Sequence, residues 1–161
     1  MKETFSRYRR NLPHFRLDGA TYHIIWRVHS SIEQLPEFTK QATLQTILRF
    51  YPARYELQGC VVMDDHVHVV ITPVPEWPLV KIVHTWKSYT AHATNKRLNR
   101  TGPIWLDEYY DRIIRDEDDL YEKLKYIYNN PRERWPEERN YPYLWIKGLT
   151  DRTGESPVPP T

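Results

Sequence analysis

Four short stretches of the chain are rich in apolar, β-branched and aromatic residues, a composition typical of β-strands. In the third stretch Val67, Val69 and Ile71 alternate with polar positions, which indicates a strand with one face in a core. Only Asp64 and Asp65 separate this stretch from the one before it, so the two are expected to form an antiparallel hairpin. The fourth is expected to be bent or interrupted. The predicted strands are residues 21–28, 55–63, 66–72 and 104–114.

Three other stretches have apolar residues three and four positions apart, which is the spacing of one helix face. The first helix is predicted to have Thr39 as its N-cap and to end at Pro52, and the second begins after Pro78. The third begins at the carboxylates of residues 116–119, which suit the helix dipole, and is predicted to stop at Pro131. The predicted buried stripes are Leu44, Ile47, Leu48 and Tyr51; then Leu79, Ile82, Val83, Trp86, Tyr89 and Ala93; then Leu120, Leu124 and Ile127.

The order strand, helix, strand, strand, helix, strand, helix predicts the fold class. Helices that return to an antiparallel sheet form an α+β sandwich, and a β-α-β-β-α-β core has ferredoxin-like connectivity. We therefore expect a ferredoxin-like or RRM-like sandwich with the helices packed mainly on one face of the sheet. A length of 161 residues suits one domain. We assign residues 1–150 to it and expect residues 151–161 to be a disordered Pro-rich tail.

Charge and cysteine content exclude several classes of protein. The 23 Lys and Arg against 21 Asp and Glu give a net charge of +2, which excludes a uniformly basic coat protein, so nucleic-acid binding would need a local basic face. The single cysteine, Cys60, excludes a disulfide scaffold and a Cys-rich zinc module. We find no secretory signal and no apolar run near the roughly 18 residues that cross a bilayer. These features favour a soluble protein in a reducing, intracellular setting.

Two histidines in the third predicted strand are candidate metal ligands. His66 and His68 are two residues apart, which puts both imidazoles on one face of a strand and within reach of one divalent ion. A pair of surface histidines on a half-solvated strand explains the same spacing. Two ligands do not complete a site, because metals take at least three protein groups or open water positions. Asp64, on the same alternation, is a candidate third ligand.

The third predicted helix carries a second group of candidates. Tyr126 and Asn130 are four residues apart and therefore lie on one stripe of the helix. If the helix packs edge-on to the sheet, both side chains look toward the histidines. Packing explains Tyr126 equally well, and a C-terminal cap before Pro131 explains Asn130.

These residue types together suit phosphoryl transfer. A tyrosine hydroxyl, with a pKa of about 10, is a weak nucleophile at neutral pH, but a divalent ion neutralises phosphate charge and fixes the phosphate for in-line attack. Attack by tyrosine gives a phosphotyrosine and a free hydroxyl. The bond energy is retained, so the step can be reversed onto another strand end. A cut-and-rejoin enzyme needs that property and a hydrolytic nuclease does not.

Several segments, taken in order, resemble single-tyrosine transposases. MDDHVHVV at residues 63–70 resembles the HUH motif of that family, in which a hydrophobic residue separates two histidines. YIYNNP at residues 126–131 resembles the helix motif of the REP-associated tyrosine transposase branch. The order and spacing of the motifs make the resemblance specific, and it covers roughly residues 8–145. Further matching segments are YRRNLPH at 8–14, WKSYT at 86–90 and IWLDEYYDRIIRD at 104–116.

The resemblance implies an insertion-sequence transposase-like enzyme that cleaves and rejoins single-stranded DNA next to a small palindromic hairpin. It implies that His66 and His68 bind the metal, that Asn130 supplies the third ligand, and that Tyr126 forms a 5′-phosphotyrosine and leaves a 3′-hydroxyl. The metal would be Mg²⁺ or Mn²⁺, with phosphate and water oxygens completing its shell. A bacterial cytoplasmic location, on the nucleoid when DNA is bound, is also implied, with no membrane partner and either a homodimer or a monomer.

Basic residues outside the motifs are candidate contacts to DNA phosphates. Two other functions fit the same residues. One is a non-catalytic single-strand binder that stacks bases on its aromatic side chains. The other is a metal-dependent nuclease that uses water, in which Tyr126 is structural. The predicted DNA contacts are Arg7, Arg9, Arg10, Lys87, Lys96, Arg97 and Arg100.

Overall fold

The computed structural model describes residues 5–9, 13–17 and 19–148. Arg10 and the predicted tail at residues 151–161 lie outside them. Within these ranges no helix is both long and apolar enough to span a bilayer. The elements, in chain order, are β1 (Phe5–Arg9), β2 (Pro13–Leu17), β3 (Tyr22–Val28), α1 (Glu37–Arg49), β4 (Tyr55–Val62), β5 (His66–Pro73), α2 (Leu79–Leu98), β6 (Trp105–Ile113), α3 (Glu117–Arg134) and β7 (Leu144–Ile146).

The main sheet has five antiparallel strands in the order β6-β3-β5-β4-β7, and β1 and β2 form a separate antiparallel pair. The first four strands of that order are the ferredoxin-like arrangement of a β-α-β-β-α-β chain. The predicted α+β fold class is therefore confirmed. Helices α1 and α2 pack on one face of the sheet, and α3 packs on the other. Successive side chains of a strand point to opposite faces, so the sheet contributes to an apolar cluster on each side.

The larger cluster lies between the sheet and the pair α1 and α2. Trp26 and Trp86 stack there with ring centroids 5.5 Å apart, and the Trp86 indole N–H donates to the Tyr55 hydroxyl at 2.9 Å. Such a bond satisfies the polar atom of a buried indole. The predicted stripe of α2 is correct from Leu79 to Trp86 and wrong at Tyr89, which is 50% exposed. The buried positions of the second half of α2 are Thr90 and Thr94.

The helix starts follow tertiary packing as well as local capping. The N-cap of α1 is Pro36, and the predicted cap, Thr39, is buried inside the helix with its hydroxyl 2.9 Å from that of Thr94. The carboxylate of Asp116 caps α3 and accepts the Asp119 backbone N–H at 2.8 Å. An acidic side chain at this position satisfies a free N–H of the first turn, as the sequence predicts.

The predicted end of α3 at Pro131 is wrong. The helix continues to Arg134 with Pro131 buried inside it, so Asn130 is not its C-terminal cap. Tertiary contacts of the last turn compensate for the missing proline N–H: Arg134 forms an ion pair with Asp64 at 2.9 Å, and Trp135 stacks on Tyr141 with centroids 5.2 Å apart. The chain then adds the unpredicted strand β7 to the edge of β4.

Candidate active site

The third predicted strand, β5, places its two histidines on the face that α3 covers. Val67, Val69 and Ile71 belong to the larger apolar cluster, and Val70 belongs to the smaller cluster with Ile127 of α3. His66 and His68 lie on the same side as Val70, since alternate residues of a strand share a face. The two imidazoles pack edge to face with centroids 4.8 Å apart.

A third histidine joins this pair from the neighbouring strand. His23 of β3 lies opposite Val70, and its Nε2 is 2.9 Å from Nδ1 of His68. Both rings are buried, and they stack with centroids 5.1 Å apart. Burial, with nearby positive charges, lowers the pKa of His68 to about 3 and that of His23 to about 4. Both rings are therefore neutral at neutral pH, which is the form that binds a metal.

The hydrogen bond between these rings decides whether His68 can act as a ligand. Nε2 of His68 is buried and has no hydrogen-bond partner among the described residues. If Nδ1 of His68 carries the proton and donates to His23, this Nε2 presents a free lone pair. The other tautomer would bury an N–H without an acceptor, which is unfavourable. The orphaned nitrogen therefore fits a metal ion, in the arrangement where a second group fixes the ligand's tautomer.

His66 is held in the same way from the other side of the pair. Its Nδ1 is 2.6 Å from a carboxylate oxygen of Asp65. The Nδ1–H group donates a hydrogen bond to that oxygen, so Nε2 keeps a free lone pair. Although burial opposes it, this hydrogen bond helps to lower the pKa of the Asp65 carboxyl below its usual range. Each histidine of the motif thus uses Nδ1 for a protein partner and keeps Nε2 for a ligand.

Helix α3 runs alongside the histidines, and one turn of the helix advances about as far as two residues of the strand. The ring of Tyr126 packs edge-on against His68 with centroids 5.4 Å apart, and two turns later Arg134 contacts Asp64. Four helical residues rise about 6 Å, and two strand residues rise about 6.8 Å. Asn130, midway between Tyr126 and Arg134, is therefore level with His66, which lies midway between His68 and Asp64.

Ring contacts thus join three residues of the predicted set, His66, His68 and Tyr126, and Asn130 lies one helical turn beyond Tyr126. Asn130 is 8% exposed, whereas Tyr126 is 49% exposed and open to a substrate. No group of three His, Cys, Asp or Glu side chains that could hold a metal occurs among residues 5–9, 13–17 and 19–148. The amide oxygen of Asn130, the predicted third ligand, is a type of donor that Mg²⁺ and Mn²⁺ accept.

Asp64, the other candidate third ligand, is already engaged. The residue is buried in the turn between β4 and β5, and one of its oxygens accepts from Arg134 at 2.9 Å. The other oxygen is buried without a partner in the described part of the chain. The guanidinium compensates the buried charge, so Asp64 joins the end of α3 to the turn that precedes His66.

Among residues 19–148, the predicted DNA contacts lie away from this site. Arg7 and Arg9 lie on β1. Of the other four described residues, three lie on α2, across the sheet from the histidines, and Arg100 follows the end of that helix. The ammonium of Lys87 donates to the carbonyls of Leu106 and Asp107 at 2.6 and 2.8 Å. The remaining predicted contacts are Lys96 and Arg97, which are exposed at the end of α2, and Arg100, which bonds to Asn95 and Pro103 beyond it.

His23 is the residue of this site that the sequence did not single out. Its strand was predicted, and His23, Ile25 and Arg27 alternate onto one face of β3. Ferredoxin-like connectivity implies that β3 lies beside β5, but the register that puts His23 beside His68 appears only in the structure.

Comparison with known proteins agrees with this geometry. The family model described as "Transposase IS200 like" matches residues 17–130, which is more than half of the chain and includes all four predicted site residues. The chain belongs to the IS200-like transposase family. DNA transposition is the activity of this family. A search of curated proteins found no match.

Two solved structures resemble this IS200-like chain. A REP-associated tyrosine transposase bound to a REP hairpin has a TM-score of 0.63 and 23% sequence identity, covering 95% of this chain and 98% of that one. The likeness shows a common fold. A crystal structure from Deinococcus radiodurans, described as a candidate transposase, has a TM-score of 0.48 and 21% identity over 68% of this chain and 88% of that one.

Proposed function

We propose that this protein cleaves and rejoins single-stranded DNA next to a small hairpin, through a 5′-phosphotyrosine on Tyr126 and with the help of Mg²⁺ or Mn²⁺. One observation carries the proposal: the half-exposed phenol of Tyr126 packs against the buried imidazole of His68, whose Nε2 has no hydrogen-bond partner within the described part of the chain. A nucleophile beside a free metal ligand is the arrangement that phosphoryl transfer requires.

The reaction balances without a further reactant. The Tyr126 hydroxyl loses its proton to solvent while its oxygen forms a bond to phosphorus, and the bond from phosphorus to the 3′ oxygen of the neighbouring nucleotide breaks. The leaving oxygen takes up a proton and becomes a 3′-hydroxyl, and the 5′ phosphate stays on the tyrosine. A 3′-hydroxyl of another strand can reverse the step, which joins the two strands.

The residues around Tyr126 have separate roles in this proposal. His66, His68 and Asn130 would hold the divalent ion. When bound, the ion would neutralise phosphate charge and orient the phosphate for in-line attack. His23 and Asp65 set the protonation of the two imidazoles, and the ion pair of Arg134 with Asp64 fixes the end of α3. The Tyr126 ring is positioned by its edge contact with His68.

A hairpin substrate and membership in the REP-associated branch are part of the same proposal. Support comes from the motif at residues 126–131 and from a fold shared over 95% of this chain with a REP-associated transposase bound to a REP hairpin. The protein would act in a bacterial cytoplasm, as a monomer or a homodimer. Tyr126 and His68 meet within one chain, so a single protomer holds both groups of the site.

The test is covalent capture of DNA. A 3′-labelled oligonucleotide with a hairpin and single-stranded flanks is incubated with the protein and Mg²⁺, and with EDTA in a parallel reaction. We expect a metal-dependent protein–DNA adduct on denaturing gels. Tyr126→Phe should remove the adduct, and Tyr121→Phe, which changes an exposed tyrosine of the same helix, should keep it. Cleavage without an adduct would indicate a water-using nuclease, and binding without cleavage a non-catalytic binder.

The metal ligands are tested by binding rather than by turnover alone. His66→Ala and His68→Ala should each abolish adduct formation and weaken Mn²⁺ binding while hairpin binding survives. Asn130→Ala should raise the Mg²⁺ concentration needed for half-maximal adduct with little loss of stability. An unchanged Mg²⁺ titration in Asn130→Ala would transfer the third-ligand role to Asp64.

A further inference from the structure

Helix α3 covers only part of the sheet face that carries the histidines. It packs against β4, β5 and β7, and its apolar contacts are with Val61, Met63 and Val70. Strands β3 and β6, at the other side of the sheet, have fewer contacts with α3, although Asp119 and Lys123 of α3 lie near His23 of β3. Strand β6 also contacts β2. Exposed side chains of β3 and β6 nevertheless remain on this face beside the candidate active site.

These exposed side chains suit a nucleic-acid strand. Register places Tyr110 of β6 opposite Ile25 of β3, which is itself opposite His68. Arg27 lies opposite His66, and Arg112 lies opposite His23. Tyr110 is 57% exposed, and both arginines are exposed. Among residues 19–148 no ion pair involves either guanidinium, and no other ring packs on Tyr110.

We propose that this surface, formed by Ile25, Arg27, Tyr110 and Arg112, binds the single-stranded part of the DNA substrate next to the cleavage site. The proposal rests on the proposed function for the identity of the substrate. Tyr110 supplies a flat ring on which a base stacks, and Ile25 supplies an apolar floor between that ring and His68. The two arginines bind phosphates on either side. Sheet faces with exposed aromatics bind single strands in this way.

The dimensions of the surface match a strand that leads to Tyr126. Tyr110 is two strands from His68, about 10 Å at the usual strand spacing, so a base stacked on it is close to the reacting phosphate but not at it. Arg27 and Arg112 are separated by four residues along the sheet and by one strand, about 14 Å. They therefore contact different phosphates of one strand, one near His66 and one near His23.

Charge favours DNA over an apolar partner. The guanidinium groups of Arg27 and Arg112 flank the Tyr110 ring, which makes the surface positive. The carboxylate of Asp65, next to His66, is already engaged by that imidazole. An apolar partner would leave both guanidinium groups desolvated and unpaired, which is unfavourable.

The surface is tested by binding without chemistry. Tyr126→Phe protein in EDTA is titrated into fluorescein-labelled dT20, and anisotropy gives the Kd. We expect Tyr110→Ala to weaken binding roughly tenfold, and Tyr110→Phe to stay within about twofold because the ring is kept. Tyr121→Ala, on the far side of α3, should bind as the parent does. Arg27→Gln and Arg112→Gln should each reduce the slope of log K against log salt by about 0.7.

Three results would overturn the assignment: parental affinity in Tyr110→Ala, an equal loss in Tyr121→Ala, or a salt slope that falls in Arg97→Gln but in neither arginine variant of the surface. Tighter binding of rU20 than of dT20 would also overturn it, because the occupant would then be RNA. The binding assay needs neither metal nor cleavage. Its result can therefore be interpreted even if the Tyr126 adduct does not form.

Discussion

The two faces of the central sheet differ in what they bury. The face under α1 and α2 is a continuous apolar core in which Trp26, Trp86 and Tyr55 pack ring against ring. Between the sheet and α3, the smaller cluster contains four fully buried apolar residues among those the structure describes, and beside them the polar groups of His23, His68, Asn130 and Asp64 are buried.

This difference suggests that the face under α1 and α2 contributes mainly to stability, and the face under α3 mainly to ligand binding. Apolar burial stabilises a fold in proportion to the area removed from water, whereas a buried polar group is unfavourable unless it has a partner. Two of the four unpartnered buried atoms of the described chain, His68 Nε2 and one Asp64 oxygen, lie on the α3 side. We expect substitutions on the first face to change the free energy of unfolding, and substitutions on the second to change ligand binding.

The largest expected effect is on the apolar face. Trp86→Ala removes a ring that is 1% exposed and the hydrogen bond to Tyr55, and it should lower the free energy of unfolding by about 3–5 kcal/mol. Urea denaturation followed by circular dichroism measures this. The variant's remaining folded fraction should bind Mn²⁺ with parental affinity. A stability loss below about 1 kcal/mol would contradict the division of roles between the faces.

On the polar face, His23→Ala should weaken Mn²⁺ affinity about 10- to 100-fold, since His68 loses the group that fixes its tautomer. Electron paramagnetic resonance of free Mn²⁺ gives the affinity. In the metal-free parent, ¹⁵N spectra of His68 should show the proton on Nδ1, and the variant should show a mixture. His92→Ala, on the exposed surface of α2, is the control. A proton on Nε2 of His68 in the parent would exclude this role for His23.

Gly59→Ala tests how closely α3 approaches the sheet. A Cβ at this position of β4 would lie 2.8 Å from the Leu124 side chain and 3.1 Å from that of Ile146. Leu124 can shift only against the small apolar cluster, so we expect about 1–2 kcal/mol of destabilisation. Because the helix that carries Tyr126 would move, adduct formation should also fall. Parental stability together with parental adduct yield would show that the contact relaxes without displacing α3.

The smallest effect concerns the chain that follows α3. The Tyr143 hydroxyl donates to Glu37 of α1, and this hydrogen bond lowers the pKa of the Glu37 carboxyl below its usual 4.5. A depressed pKa stabilises the folded state above the unfolded pKa, and the contribution disappears as pH falls through the folded pKa. We therefore expect the Tm difference between the parent and Glu37→Gln to be positive at pH 7 and to disappear in acid, once the pH is below the lowered pKa of the Glu37 carboxyl. A pH-independent difference would rule out this linkage.

Local pattern was sufficient for most of the elements and for the site residues that share one element. The two-residue spacing of His66 and His68 and the four-residue spacing of Tyr126 and Asn130 each place both members on one side, and the structure has them so. The end of α3 was not predictable, because Pro131 is a strong local stop and the contacts that continue the helix come from Asp64 and Tyr141.

The sequence by itself determined which residues form strands and helices, since hydrophobic spacing reports which side of an element is buried. The predicted catalytic set came from the order of the motifs. Ferredoxin-like connectivity already implies that β3 lies between β5 and β6, but only the tertiary structure showed the register that puts His23 beside His68, and that α3 crosses the sheet on the face opposite α1 and α2. Those choices depend on contacts between residues far apart in the chain, which local spacing does not encode, and they bring His23 to His68 and leave Tyr110 uncovered.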